Sequence, residues 1–288
     1  MEIATEDYFA YLARQADDMP LYLFDRDFAK RCPHLAQDYR VPRAFSEDLF
    51  SALQDARPDF RWLIIGPARS GSSFHVDPNA TSAWNAAIRG RKKWCVPNPR
   101  GQVAARSALT AAACRILLPP HVVPPGVIPS ADGANVATPV SIVEWFLNFY
   151  TECSQCESLV EGTVHPGEVI FVPRGWWHCV LNLDDSVAIT QNFVSACNLP
   201  HVLAVLRSPN SQLVSGCEET STLHARFLEA MRSQHPELAA ECDRLDESAA
   251  CAKQESAQLA SLFSASAPRR DAEPSVPPGN GFSFSFAL

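Results

Sequence analysis

The sequence predicts a mainly β protein: a double-stranded β-helix, or jelly roll, with helices before it and a helical appendage after it. Three observations carry that reading. From Arg61 onward short apolar runs dominate, namely Trp62-Leu63-Ile64-Ile65-Gly66, the run ending at His75-Val76-Asp77, and Lys92-Lys93-Trp94-Cys95-Val96. Glu168–Val172, Trp176–Leu183 and Ser186–Ser195 then follow one another closely, the last two joined by the tight turn Asp184-Asp185. Three such strands read as an antiparallel meander, whose natural closed form is the jelly roll. Beyond Asn198 the spacing of apolar residues becomes helical.

Taken in order, residues 1–20 form a helical lead-in, because Tyr8, Phe9, Tyr11 and Leu12 fall at helix-like spacing within Asp7–Asp17. Pro20-Leu21-Tyr22-Leu23-Phe24 reads as a short buried strand. Val41-Pro42 marks a turn, and Ala44–Leu53 a short helix with Ser46 as its N-cap ahead of Glu47 and Asp48. The β-core spans 21–196, interrupted at 97–140 by a long insertion. That insertion is Ala-rich from Pro97 to Ile116. Between Leu117 and Thr138 it holds prolines that forbid a long regular element, so it reads as a surface excursion. Ile142, Trp145, Phe146 and Phe149 predict a short helix over Ser141–Tyr150. Leu199–Arg207, Thr220–Gln234 and Pro236–Phe263 are expected C-terminal helices (197–263), which either cover the barrel or form a homodimer face. Ser264–Leu288 is rich in Ser, Pro and Gly with little to bury and reads as disordered.

The formal charge of -8 disfavours an electrostatic grip on nucleic acid and suits a basic protein or peptide partner. No apolar run has the length of a membrane span, and Met1-Glu2-Ile3-Ala4-Thr5-Glu6-Asp7 lacks the order of a signal peptide, so no membrane is expected and the cytoplasm or nucleus is. The cysteines are scattered through a long chain and are expected to be reduced. Cys153-Ser154-Gln155-Cys156 is a single C-x-x-C pair, read as a loop with two free thiols.

The chemistry concentrates in Ser70-Gly71-Ser72-Ser73-Phe74-His75-Val76-Asp77-Pro78, answered much later by Gly175-Trp176-Trp177-His178. Side chains at i and i+2 of a strand point the same way, so His75 and Asp77 can share one metal, provided His178 comes from a neighbouring strand. Two imidazoles and one carboxylate leave one face of an octahedral Fe(II) open, the facial-triad arrangement of oxygen-activating sites. An H-x-D tripeptide by itself is weak, since polar residues alternate on strands by chance.

The neighbours strengthen it. Pro20-Leu21-Tyr22-Leu23-Phe24-Asp25, Arg61-Trp62, Gly66-Pro67-Ala68-Arg69-Ser70-Gly71, His75-Val76-Asp77-Pro78, Thr81-Ser82-Ala83-Trp84-Asn85 and Val172-Pro173-Arg174-Gly175-Trp176-Trp177-His178 together resemble the jumonji-C family. Within it they most resemble the branch of lysyl hydroxylases and arginine demethylases. The resemblance covers Leu21 to Ser195 and implies a cupin-like jelly roll, Fe(II) as cofactor, and 2-oxoglutarate and O2 as cosubstrates. It implies His75, Asp77 and His178 as iron ligands and Lys92 as the partner of the distal carboxylate of 2-oxoglutarate. Lys93 should face the other way. Thr190 would donate its hydroxyl to that carboxylate, with Asn85, Ser72, Tyr22 and Asn192 as further polar positions. Ser72 stands where the family has threonine. The resemblance further implies nuclear residence and a protein substrate.

Each residue has a plainer reading. Arg89-Gly90-Arg91-Lys92-Lys93 fits a solvated charge run, Thr190 and Asn192 fit ordinary strand and turn preferences, and Trp176 and Trp177 fit core and rim aromatics. The segment between Cys95 and Leu117 is longer than the family pattern, and the family core begins almost at Met1, which leaves upstream domains an open question. Two functions remain: an oxygenase that hydroxylates or demethylates a basic protein, and a catalytically silent binding module of the same fold.

Overall fold

The computed structural model describes residues 3–97, 123–138, 141–155, 159–240, 242–244 and 247. The chain divides into two compact units, Met1–Cys242 and Asp243–Leu288, and the fold below is that of the first. Its strands are β1 (Leu23–Asp25), β2 (Arg61–Gly66), β3 (Gly71–His75), β4 (Ser82–Arg89), β5 (Lys92–Pro97), β6 (Ile128–Pro129), β7 (Val136–Ala137), β8 (Leu159–Val164), β9 (Val169–Val172), β10 (His178–Asn182) and β11 (Ser186–Phe193). One sheet runs β1-β2-β11-β4-β9, a second β3-β10-β5-β8, and β6 pairs with β7. All pairings are antiparallel. The helices are α1 (Thr5–Leu12), α2 (Phe28–Arg31), α3 (Pro33–Gln37), α4 (Ile142–Asn148), α5 (Tyr150–Ser154), α6 (Leu199–Leu206) and α7 (Leu223–Gln234). No helix among the described residues is long and apolar enough to cross a membrane.

The period of two along each strand sorts side chains into layers. Inward-facing Ala83 and Ala87 of β4, Trp94 of β5, Val172 of β9 and Val180 of β10 meet between the two sheets. Outward from the first sheet, Trp84, Ile189 and Phe193 pack under Tyr39 and Phe45. Outward from the second, Phe74, Cys95 and Cys179 pack against Ile142, Trp145 and Cys153 of α4 and α5. A capping box starts α4, with Ser141 and Glu144 each accepting the other's backbone N–H.

The jelly roll expected from the sequence is present, but the meander is not. Consecutive strands β9, β10 and β11 alternate between sheets. β10 pairs with β3 and β5, which sets Cys179 under α4 and α5, whereas β11 pairs with β2 and β4, which sets Ile189 under Phe45. Pro20–Phe24 is not a buried strand either. β1 is the edge of its sheet, starts at Leu23, and leaves Phe24 about half exposed. Ser46 caps no helix. Two short 3-10 stretches, Arg43–Phe45 and Leu49–Ala56, replace the expected Ala44–Leu53 helix, and the Ser46 hydroxyl donates back to the Arg43 carbonyl.

α1 stops at Leu12 rather than Asp17, and the buried Tyr8 hydroxyl, 2.8 Å from the Ile65 carbonyl, docks it on β2. β4 and β8 carry no clear strand signal in the sequence, because Ala83, Ala86 and Ala87 have little strand preference and β8 contains Gly162. Cys153 is buried on α5 rather than in a loop, and Cys156 lies outside the described residues. So do most of the 97–140 insertion, the 264–288 tail, and the expected 236–263 helix beyond 247; residues 236–240 are helical. α6 and α7 turn Leu203, Phe227 and Met231 fully inward, with Phe227 edge-on to Phe50 at 5.0 Å.

β3 and β10 approach so closely that a Cβ on Gly71 would overlap the Val180 carbonyl oxygen. Backbone overlap cannot be relieved by a rotamer, so Gly71→Ala should destabilise the fold by about 2 kcal/mol or more, within the usual range for overpacking. The urea midpoint measures this. An unchanged midpoint would show that the two strands can separate at little cost.

Candidate metal centre

β3 and β10 are register partners, with His75 directly opposite His178. Two residues further along β10, Val180 faces Ser72, so three steps on β3 match two on β10. That bulge resets the alternation and lets both Ser72 and His75 face inward while Phe74 points out into the α4 layer. The imidazole centroids lie 4.1 Å apart. Each ring is oriented by a carbonyl two residues upstream: His75 Nδ1 is 2.8 Å from the Ser73 carbonyl and His178 Nδ1 is 3.0 Å from the Trp176 carbonyl. A carbonyl only accepts, so both Nδ1 atoms carry the proton and both Nε2 lone pairs are free to bind a metal.

Asp77 lies just past the end of β3, not within it as the i, i+2 argument assumed. Its extended backbone, φ −61° and ψ 141°, still turns the carboxylate toward the histidines. One ligand atom from each of the three residues lies within 4.8 Å of the others. Asp77 Oδ2 is buried without a hydrogen-bond partner among the described residues. Burial raises the Asp77 pKa, opposed by the neighbouring His75 and by a hydrogen bond from Asn192. Burial, with His75 alongside, holds the His178 pKa well below its ordinary value, keeping the ring neutral as a metal ligand must be.

The trio opens onto a cavity of about 230 Å³ between the sheets. Of the other expected residues, Tyr22, Ser72, Asn85, Thr190 and Asn192 line it. Asn85 keeps an unpartnered buried Oδ1 among the described residues. Thr190 donates its one hydroxyl proton to the Trp84 carbonyl at 3.0 Å, so donation to a ligand requires that hydroxyl to turn.

Lys92 is placed differently. It is fully buried but lies behind the lining, with Nζ donating to Tyr22 Oη (3.0 Å), Asn182 Oδ1 (2.8 Å) and Ser186 Oγ (3.1 Å). Its register partner Asn182 is four residues along β10 from His178, or about 13 Å at ~3.3 Å per residue. All three acceptors are neutral, and burial pulls the lysine pKa down to about 7. The solvated charge run is therefore wrong for Lys92. Lys93 does face outward, 3.0 Å from Glu161.

Sequence reasoning missed Trp94, Trp62 and Phe24, which also line the cavity. Trp94 lies 6.0 Å from His178, near-parallel, with its Nε1 buried and unpartnered among the described residues. The signal was available, since Trp94 and Phe24 stand two residues beyond Lys92 and Tyr22 on the same strand faces. Asn182 and Ser186, which hold Lys92, carried no such signal.

Comparison with known proteins agrees with this geometry. A cupin-like domain family matches residues 4–198. The chain is 48% identical over 257 residues to "Arginine-specific demethylase JMJ22" of Arabidopsis thaliana, covering 88% of this chain and 47% of that protein. It is 35% identical over 200 residues to "Bifunctional arginine demethylase and lysyl-hydroxylase psr-1" of Caenorhabditis elegans, covering 67% of this chain and 44% of the relative. It is 32% identical over 182 residues to "2-oxoglutarate and iron-dependent oxygenase JMJD4" of Gallus gallus, covering 62% and 37%. The chain thus spans less than half the length of each of these three curated relatives.

The lysine makes a pH prediction for the ligand-free, chelator-treated protein. An unfolded lysine has a pKa of about 10.4, whereas burial pulls that of Lys92 down to about 7. Between those values the unfolded chain binds the extra proton, so stability from this group rises with pH across that window. Lys92→Met removes the dependence. The stability difference between Lys92→Met and wild type should therefore shrink from pH 7 to pH 10 in urea titrations; a constant difference would show that Lys92 stays charged.

Proposed function

Since the chain belongs to the cupin-like jumonji-C family, we propose that it is an Fe(II)- and 2-oxoglutarate-dependent oxygenase acting on a protein side chain, by lysyl hydroxylation or by demethylation of N-methyl-arginine or N-methyl-lysine. The observation that carries this reading is the donor set. Two imidazoles, each held through Nδ1 with Nε2 left to bind, and one buried carboxylate whose Oδ2 has no partner among the described residues converge on a cavity. That set fits a first-row divalent ion with coordination positions left open. His75, Asp77 and His178 would hold it. Bound there, Fe(II) with 2-oxoglutarate and O2 supplies the oxidising power for hydroxylating a C–H bond, with succinate and CO2 released.

The chain's own residues do the rest. Lys92 and Tyr22 provide the positive end of the cavity for the distal carboxylate, the ammonium acting directly or through the Tyr22 hydroxyl that it already contacts. A carboxylate arriving there would restore the charge that burial penalises, which ties cosubstrate binding to a lysine otherwise costly to keep protonated. Thr190, Asn85 and Ser72 offer neutral polar groups along the wall. Asn192 restrains Asp77 and itself donates to Thr81 Oγ1 at 2.9 Å. Ile64, Ala83, Val172 and Val180 make the remaining wall apolar and help to exclude water.

The net charge of -8 supports a basic protein or peptide substrate, such as a histone segment, and the family resemblance supports residence in the nucleus. Hydroxylation and demethylation share one centre. They differ in which carbon the chain presents: a side-chain methylene gives a stable alcohol, an N-methyl group a hemiaminal that loses formaldehyde.

His75→Ala or Asp77→Ala should reduce 2-oxoglutarate turnover to background while the circular dichroism spectrum stays that of wild type. Lys92→Ala should raise the KM for 2-oxoglutarate more than ten-fold, since losing one partner of a buried charge pair costs about 2–5 kcal/mol. Succinate release measures both. Turnover retained without either ligand would remove the metal reading.

A further inference from the structure

The loop that carries Asp77 is held in a conformation its sequence does not favour. Two successive non-glycine residues, Asn79 at φ 57° and Ala80 at φ 52°, adopt left-handed backbone, a region that asparagine tolerates and alanine does not. Such strain persists only where the surroundings over-determine it. Thr81 closes the loop locally, its N–H and hydroxyl donating to the Pro78 carbonyl at 3.1 and 2.8 Å. The remaining restraints come from far along the chain. Asn79 is 4% exposed, and its side chain forms a two-point clamp on the main chain of Ser215: Oδ1 accepts from Ser215 N at 3.0 Å, and Nδ2 donates to Ser215 O at 2.9 Å. With one donor and one acceptor opposite, the amide has a single workable orientation. The Ala80 carbonyl accepts from Asn198 Nδ2 at 3.1 Å.

Ser215 lies between α6 and α7, outside residues 4–198 that match the cupin-like domain. Its segment is anchored in turn: Val214 is buried, and the Gly216 carbonyl accepts from Asp59 N at 2.6 Å. We propose that Asn79 is a positioning residue for the metal centre, acting through the Ser215 main chain, so that the segment following the jelly roll sets the Asp77 carboxylate. The inference rests on the reading that His75, Asp77 and His178 hold a metal. Without the clamp the loop relaxes from its left-handed conformation, and Asp77, two residues upstream, moves with it. Ligands need placement to about half an ångström.

The test is calorimetric titration of the full chain with Mn(II), alongside thermal melting. Asn79→Leu keeps roughly the side chain's shape and removes both hydrogen bonds but adds left-handed strain, so Asn79→Gly, which removes the bonds without that strain, should weaken binding in the same direction. Ser215→Pro removes the N–H donor from the other side of the contact. Asn79→Leu should weaken Mn(II) binding at least ten-fold, the lower end of what losing a group that orients a ligand costs. Ser215→Pro should weaken it in the same direction, and the double variant should bind no more weakly than Asn79→Leu alone, because both remove one interaction. Asn79→Asp keeps one of the two bonds and should fall between; it carries the comparison if Asn79→Leu does not fold. Variants that melt lower yet bind Mn(II) within two-fold of wild type overturn the proposal, leaving Asn79 a purely structural residue. A wild-type chain that binds no Mn(II) instead overturns the metal reading, and this inference with it.

Discussion

The architecture turns on one strand contact, the pairing of β3 with β10 that sets His75 against His178. Both neighbours matter to it. Gly71 lets the strands approach without a side chain between them, and the bulge between His178 and Val180 lets Ser72 face inward with His75 while Phe74 turns out. Each histidine uses a carbonyl of its own chain two residues upstream to fix ring and tautomer. The backbone that builds the sheet therefore also presets the donor atoms, and helices α4 and α5 support that sheet from behind through Phe74, Cys95 and Cys179.

The interior between the sheets carries an unusual load of polar groups. Lys92, Asn182, Ser186, Asn85 and Asn192 are all buried, in a layer that elsewhere is Ala, Val and Trp. At the lysine end every ammonium proton has an acceptor and none of those acceptors is charged. At the Asp77 end a carboxylate oxygen is left over among the described residues. Burying groups in this way costs stability unless something completes them. A divalent cation at one end and an anion at the other would complete both, and the fold tolerates the cost because apolar layers outside each sheet supply the packing.

Much of this was legible in the sequence. The His75, Asp77 and His178 trio could be read because the H-x-D spacing, weak alone, stands among runs such as Val172-Pro173-Arg174-Gly175-Trp176-Trp177-His178 that resemble the jumonji-C family. The jelly roll could be read from β-prone runs such as Trp62–Gly66. Strand order could not, because alternation along β10 and β11 says which side chains face inward but not which sheet covers them. Ala-rich β4 lacked the branched residues that announce a strand. Nor did Asp77-Pro78-Asn79-Ala80 reveal two left-handed residues held by Ser215, since that contact spans 136 positions and rests on main-chain atoms that carry no residue identity. Lys92 shows the same limit: its neighbours Arg89, Arg91 and Lys93 suggest solvent, and only the register with Asn182 buries it.

The central claim is that one cavity binds Fe(II) and 2-oxoglutarate together, and anaerobic titration of the Fe(II)-loaded protein with 2-oxoglutarate tests it most directly. Chelation of the keto acid by iron gives a weak visible charge-transfer band. That band should appear in wild type and be lost in His178→Ala. A well-folded wild-type protein that takes up iron yet shows no band with saturating 2-oxoglutarate would contradict it, and would leave the fold as a metal-binding module without oxygenase chemistry.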